Sequence, residues 1–196
     1  MRTDAWESVV SALGRWSNSG DLTTAGGTRL IGHVPHVAPY AHLHEIYRGL
    51  TDSELEQLET KIDRLIPGPY RALLRLSNGV QMFSCTLTLD GFRRSWTREL
   101  SVREPFSLIT PNTKERPEFT PQDVVYIGGY EDASRLWMRP NDPCVYRSPP
   151  DTFGPVLNTW DSLETTLLDE VERLASRFDP AGRPLFPDEP NTPAPQ

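Results

Sequence analysis

Nineteen prolines spread through 196 residues constrain this chain more than any other feature. Proline lacks a backbone donor and its ring clashes with the preceding helical turn, so it is confined to helix starts, turns and strand edges. At about twice average usage, the prolines exclude an all-helical bundle and predict short elements joined by stiff connections. Hydrophobic residues make up 37% and charged residues 24%, enough apolar material for a sizeable core and too little charge for wholesale disorder. The length suits one good-sized domain with appendages. No apolar run approaches the roughly 20 residues of a membrane helix. The start MRTDAWESVV lacks a cationic and then apolar leader, so the expected location is cytoplasmic.

Between the prolines, periodicity places the elements. Trp6, Val9, Val10, Leu13 and Trp16 recur at helical spacing and predict a helix over residues 4–16. A short strand is expected at 28–31, and the irregular stretch 32–49, with Pro35 and Pro39, reads as a loop. Thr51 and Glu54 have capping-box spacing. The apolar stripe Leu55, Leu58, Ile62 and Leu65 follows, with Glu56, Glu59 and Asp63 on the solvated side. Pro67-Gly68-Pro69 ends that helix and starts a second one, bearing Tyr70, Leu73, Leu74 and Leu76, with Asn78-Gly79 as its left-handed closure. Alternation over 83–89 predicts a strand, Asp90-Gly91 a hairpin turn, and 92–96 the returning strand. Short strands are expected at 124–127, 135–138 and 144–146. Asp161 and Glu164 open a final helix faced by Leu163, Leu167, Val171 and Leu174. The core is therefore expected from Leu55, Leu58, Ile62, Leu65, Leu73, Leu74, Phe83, Leu87, Val125, Ile127, Leu136, Leu163, Leu167 and Val171. The last 18 residues hold six prolines and are expected to be a disordered tail.

The net charge of −7, from 27 acids against 20 bases of which 18 are arginine, opposes the balance that holds nucleic-acid phosphates. It suits solubility and a basic protein partner. Cys85 and Cys144 make neither a disulfide framework nor a thiolate zinc site, and read as packed thiols. The GxSxG elbow, Walker loop, GxGxxG, HExxH and EF-hand loop are missing, so no catalytic residue and no cofactor is expected. His33, His36, His42 and His44 fall within twelve residues. Imidazoles this dense are candidate ligands for zinc or nickel, while two intervening prolines and the missing i, i+4 pair favour solvated or backbone-bonded rings. Arg93, Arg94, Arg98 and Arg103 around Trp96 could suit a single nucleic-acid strand. Glu99 and Glu104 interrupt them, and an exposed strand with arginines on its outer face explains the same letters.

The order of these motifs resembles the SUKH superfamily, which includes the yeast Smi/Knr cell-wall-assembly regulator and bacterial immunity proteins. The resemblance covers residues 48–176. It rests on Leu65 to Pro69 with Tyr70, then Leu74, Asn78-Gly79, Ile127-Gly128, Val145-Tyr146, and the helix entry from Trp160 to Leu168. Pro67, Tyr70, Leu74, Asn78, Gly79, Ile127, Gly128, Tyr146 and Trp160 would then be structural motif residues. Three departures stand out: Ile66-Pro67-Gly68-Pro69-Tyr70 for a single Leu-Pro step, Glu131-Asp132-Ala133 for Asp-Gly, and Trp160-Asp161-Ser162-Leu163 for Ser-Phe. The implied fold is α+β, a single mostly antiparallel sheet with helices on one side. The expected organisation is 1–47 as a helix, short strand and histidine loop, 48–178 as the SUKH-like domain, and 179–196 as the tail.

The implied function is non-enzymatic protein binding, as an immunity protein that neutralises a toxin, possible partners including a basic nuclease. A Smi/Knr-type regulator or scaffold is the alternative, and a metal protein or enzyme using residues 33–44 the second. Loops between strands present variable chemistry, so Glu131, Asp132, Asp142, Asp151 and Trp137 are the expected partner contacts, with neither membrane nor direct nucleic-acid binding.

Overall fold

The computed structural model describes residues 1–96 and 102–196. Among them, nine strands form one antiparallel sheet in which every strand pairs with its sequence neighbour: β1 (Asp21–Thr23), β2 (Arg29–His33), β3 (His42–Arg48), β4 (Ser77–Met82), β5 (Leu87–Leu89), β6 (Val125–Tyr130), β7 (Arg135–Arg139), β8 (Asp142–Ser148) and β9 (Asn158–Trp160). Most connections of this meander are short, which suits a proline-rich chain, and two are long, residues 49–76 between β3 and β4 and 90–124 between β5 and β6. The helices are α1 (Thr3–Leu13), α2 (Asp52–Ile62), α3 (Gly68–Leu76), a single turn α4 (Ile109–Asn112) and α5 (Leu163–Ala175). The α+β single-sheet architecture expected from the sequence is the observed one. No helix among the described residues is long and apolar enough to cross a membrane.

The helix starts follow local chemistry. The Thr51 hydroxyl accepts from the Glu54 amide while the Glu54 carboxylate accepts from the Thr51 amide, a complete capping box. At α5 the cap is Ser162, which accepts from the Thr165 amide, one residue later than Asp161. α2 stops at Asp63, which is left-handed with φ 53°. That break ends the helical period, so Leu65 is 70% exposed and Ile66 enters the core in its place. The other thirteen expected core residues are buried. They belong to one cluster on the helical side of the sheet, running from Trp6 on α1 to Phe178 beyond α5.

Four stretches differ from the sequence expectation. Residues 32–49 are not a loop: β2 and β3 pair, with His33 opposite His42, and the expected boundary at 47/48 falls inside β3. Asn78-Gly79 does not close α3. Ser77 is already extended and both residues lie in β4, where Gly79 has φ +83° and a Cβ would come within 2.5 Å of the Leu89 carbonyl oxygen. The hairpin at 83–96 is shifted as well: β4 turns back into β5 through Phe83, Ser84 and Cys85, all with positive φ, and Asp90-Gly91 lies beyond it. The tail, expected to be disordered, rests on the body. The Trp16 indole donates to the Asp179 carbonyl at 2.8 Å, Gly182 packs against Val34 and Leu43, and the Gln196 amide donates to Leu157 at 2.8 Å. Proline-rich backbone carries free carbonyls, and here buried side-chain donors take them.

Candidate functional site: a cleft beside β5 to β7

Alternation along the strands sends Leu87, Leu89, Val125, Ile127 and Leu136 into the helical core and Thr88, Gly129 and Arg135 to the opposite, outer face. There a cleft of about 500 Å³ opens, floored by Thr88, Gly128-Gly129 and Arg135 and walled by Arg93, Trp96, Phe106, Ser107, Thr110, Pro111 and Glu115, with Cys85 and Glu131 also on its lining.

Two asparagines build its wall. The Asn78 side chain brackets Phe92, accepting from its amide at 2.6 Å and donating to its carbonyl at 3.0 Å. Asn112 does the same for Tyr126, at 2.9 and 2.7 Å, where β6 extends past the short β5. The Gly91 amide donates to the Phe106 carbonyl and its carbonyl accepts from the Leu108 amide, tying Gly91 to residues 106–108. Asn112 carried no sequence signal, because a lone Asn after a proline reads as a turn.

At the inner end sits Asp90, 9% exposed. Its amide donates to the Ile127 carbonyl, and its carbonyl accepts from the Tyr70 hydroxyl, which also reaches Ile127 at 2.8 Å. Tyr70, fully buried on α3, thus fixes the backbone under the cleft. The Asp90 carboxylate accepts no hydrogen bond among the described residues. Burial pushes its pKa up to about 7 against the pull of Arg135. Arg135 stacks over the Tyr126 ring and pairs with Glu115 at 3.6 Å. At the mouth, Arg93 lies 4.2 Å over Trp96, which is 70% exposed, beside Phe106 at 45%. Burial raises the Cys85 thiol to about 11, so it stays protonated near neutrality.

The sequence candidates are scattered around this cleft. Glu131 is on its lining and accepts from the Thr86 hydroxyl at 2.9 Å. Asp132 serves the fold: it accepts from the Ser134 amide and, at 2.6 Å, from Arg147, a buried guanidinium that also donates to Ser134, Asn158 and the Pro193 carbonyl. Asp142 accepts from the Cys144 amide and the Tyr146 hydroxyl, and Asp151 is exposed in the β8–β9 connection. Trp137 is 3% exposed, stacked on Tyr146 and covered by Phe153, so its ring offers a partner no surface. Sequence gave Trp137 no sign of this cover, because Phe153 arrives from a distant loop.

The structural motif residues sit at joints. Pro67 precedes α3, Leu74 is buried in the core and Trp160 packs from β9. A Cβ on Gly128 would come within 2.1 Å of the Thr88 carbonyl oxygen, so β5 and β6 meet only through glycine. The histidines divide. His33 and His42 face each other with centroids 5.5 Å apart, His36 is exposed on the turn, and His44 is buried between Trp16 and Phe83. Among the described residues, no group of three or more His, Cys, Asp or Glu is placed to hold a metal. Arg94 and Arg103 are committed to Glu54 and Glu45, at 2.6 and 2.9 Å. Arg98 and Glu99 lie outside the described residues.

The sequence model described as SMI1 / KNR4 family (SUKH-1) matches residues 49–169. The match spans α2 through the first half of α5, and α1, the strands β1 to β3 and the tail lie outside it. No curated protein matches the chain.

Proposed function

Because the chain belongs to the SMI1/KNR4 family (SUKH-1), we propose that it acts in the cytoplasm by stoichiometric binding to another protein, as an immunity protein that neutralises a cognate bacterial toxin. The observation that carries the binding half of this reading is the pair of large rings, Trp96 and Phe106, left exposed at the mouth of the outer-face cleft. Exposed aromatics beside a concavity are the usual anchors of a protein contact. The net charge of −7 favours a basic partner, such as a nuclease, because opposite charge raises the encounter rate. Glu131, Asp142 and Asp151 supply acidic contacts around that face, and the chemistry needs no cofactor and no catalytic residue of this chain.

The test is to mix the purified protein with the product of the adjoining gene and follow that product's activity. Neutralisation that saturates at equimolar protein supports the reading. A tight complex that leaves the partner's activity intact points instead to a regulator or scaffold of the Smi/Knr type. Turnover of the partner or of a small substrate by this chain overturns the binding mechanism.

A further inference from the structure

We propose that the cleft beside β5 to β7 receives a lysine or arginine side chain of the partner protein, with the Asp90 carboxylate as its counter-charge; this rests on the reading of the chain as a binding domain. Asp90 is more than nine-tenths buried, its backbone is held on both sides by Ile127 and Tyr70, and its carboxylate has no hydrogen-bond donor among the described residues. A carboxylate this deeply set, with no protein donor, depends on what reaches it from the cleft, and a donor delivered there would serve it.

The surrounding charges set the sign of the ligand. The lining holds three carboxylates, Asp90, Glu115 and Glu131, against two guanidiniums, Arg93 and Arg135. Arg135 is turned to Glu115 and Tyr126 and also pulls on the Asp90 carboxylate, its buried Nη1 having no hydrogen-bond partner among the described residues, and Arg93 is stacked on Trp96. Tyr70 approaches from α3 with its hydroxyl on the Asp90 carbonyl, and burial keeps that phenol protonated. The balance leaves room for one added cation.

Shape and the rim argue that the cation is carried by a protein. About 500 Å³ is within the ordinary range for a ligand pocket of roughly 300–1,000 Å³, ample for one long side chain. The methylenes of such a side chain lie well along apolar rings, and its charge over an aromatic face. A free small cation would leave Trp96 and Phe106 wet, whereas a protein surface following its own lysine or arginine into the cleft covers both rings. Asp90 must be ionised to serve, and burial holds its pKa near about 7. Capture therefore strengthens as pH rises through neutrality and levels off above it.

The probe is N-acetyl-arginine amide, titrated into the full chain while NMR follows the Trp96 indole N–H, assigned with Trp96→Phe. Binding on the order of millimolar is expected at about pH 8. It should weaken about tenfold at about pH 6, where roughly a tenth of Asp90 is ionised, and the neutral isostere N-acetyl-citrulline amide should not bind. Asp90→Asn should lose binding tenfold or more together with its pH dependence. Phe106→Ala, at an exposed position outside the core, should weaken binding several-fold with an unchanged melting curve. Equal binding of the two probes, or binding indifferent to Asp90→Asn and to pH, overturns the proposal, as does no binding at either pH. Loss of the arginine response with toxin neutralisation intact overturns the cleft and not the binding function. Capture of arginine without any neutralised partner does the reverse.

Discussion

Among the titratable side chains that the sheet buries, His44 on the helical face and Asp90 on the outer face make a contrast that separates stability from function. On the helical face, His44 is fully buried between Trp16 and Phe83, with ring centroids 5.3 and 4.7 Å away, and its Nδ1 accepts from the Phe83 amide. Burial drives its pKa down to about 3, so it is a neutral ring in a closed apolar wall. On the outer face, Asp90 is almost as buried but lines an open cleft. The same physical violation, a polar group lacking a full set of partners, is a packing detail where rings enclose it and an unfilled valence where a cleft reaches it.

The comparison breaks most easily on the helical face. Leu74→Ala or Ile127→Ala removes a fully buried side chain from the continuous core and should cost about 2–5 kcal/mol in denaturant unfolding. Trp96→Ala at the cleft mouth should stay within about 0.5 kcal/mol. Equal costs for the two would mean that the faces are packed alike.

Titration sharpens the contrast because the two groups bend stability in opposite directions. The folded state holds a proton on Asp90 up to about pH 7, whereas the unfolded carboxyl releases it near 3.8, so stability falls as pH rises through that window. His44 stays neutral when folded down to about pH 3 while the unfolded ring takes a proton below about 6.5, so stability falls as pH drops. Between about pH 4 and 6.5 the two slopes oppose each other. Asp90→Asn should therefore gain stability relative to the parent as pH rises, with a ceiling of about 4 kcal/mol above pH 7 set by roughly three pK units. It should match the parent near pH 4. Melting curves across pH check this, and a gain that is the same at pH 4 and pH 8 would contradict the raised Asp90 pKa.

A smaller effect is expected from the end of the chain. Removing residues 193–196 takes the Pro193 and Ala194 carbonyls away from Arg147 and the Asn158 side chain. With Arg147 only 3% exposed, water replaces those acceptors poorly, and a loss of about 1–3 kcal/mol should appear in unfolding curves. An unchanged midpoint would mean that the tail lies beside Arg147 without holding it.

How much of this was legible in the sequence follows from the range of each signal. α2, α3, α5 and β6 to β8 announce themselves by period and capping within a few residues. β3 does not: Leu43, His44, Glu45, Ile46 and Tyr47 are all buried, so no in-out alternation marks the strand. The β4–β5 turn is hidden for another reason, since Phe83, Ser84 and Cys85 take left-handed conformations with no glycine to signal them. That shift turned Asp90 from an apparent hairpin tip into a buried cleft residue. The Arg147 hub and the cover over Trp137 join segments far apart in the chain, which local spacing does not reveal.

The acidic rim separates two neighbouring carboxylates, and the smallest stability effect belongs to Glu131. Asp132→Lys would place a cation against the buried Arg147 guanidinium and strip the Ser134 amide of its acceptor, so it should destabilise by about 1–3 kcal/mol, the solvent-facing side of Asp132 keeping the cost below that of a fully buried pair. Glu131 is exposed and contributes one hydrogen bond to the Thr86 hydroxyl, so Glu131→Lys should change stability by less than about 1 kcal/mol. Its effect belongs in kinetics. Reversing a charge on the cleft lining should slow association with a basic partner and flatten the dependence of that rate on salt, leaving dissociation nearly unchanged. Stopped-flow association at low and moderate ionic strength reads both quantities on a protein whose fold is intact. A rate and salt slope equal to those of the parent would remove the β6–β7 turn from the contact surface. A change confined to dissociation would instead mean that Glu131 makes a short-range contact rather than steering the encounter.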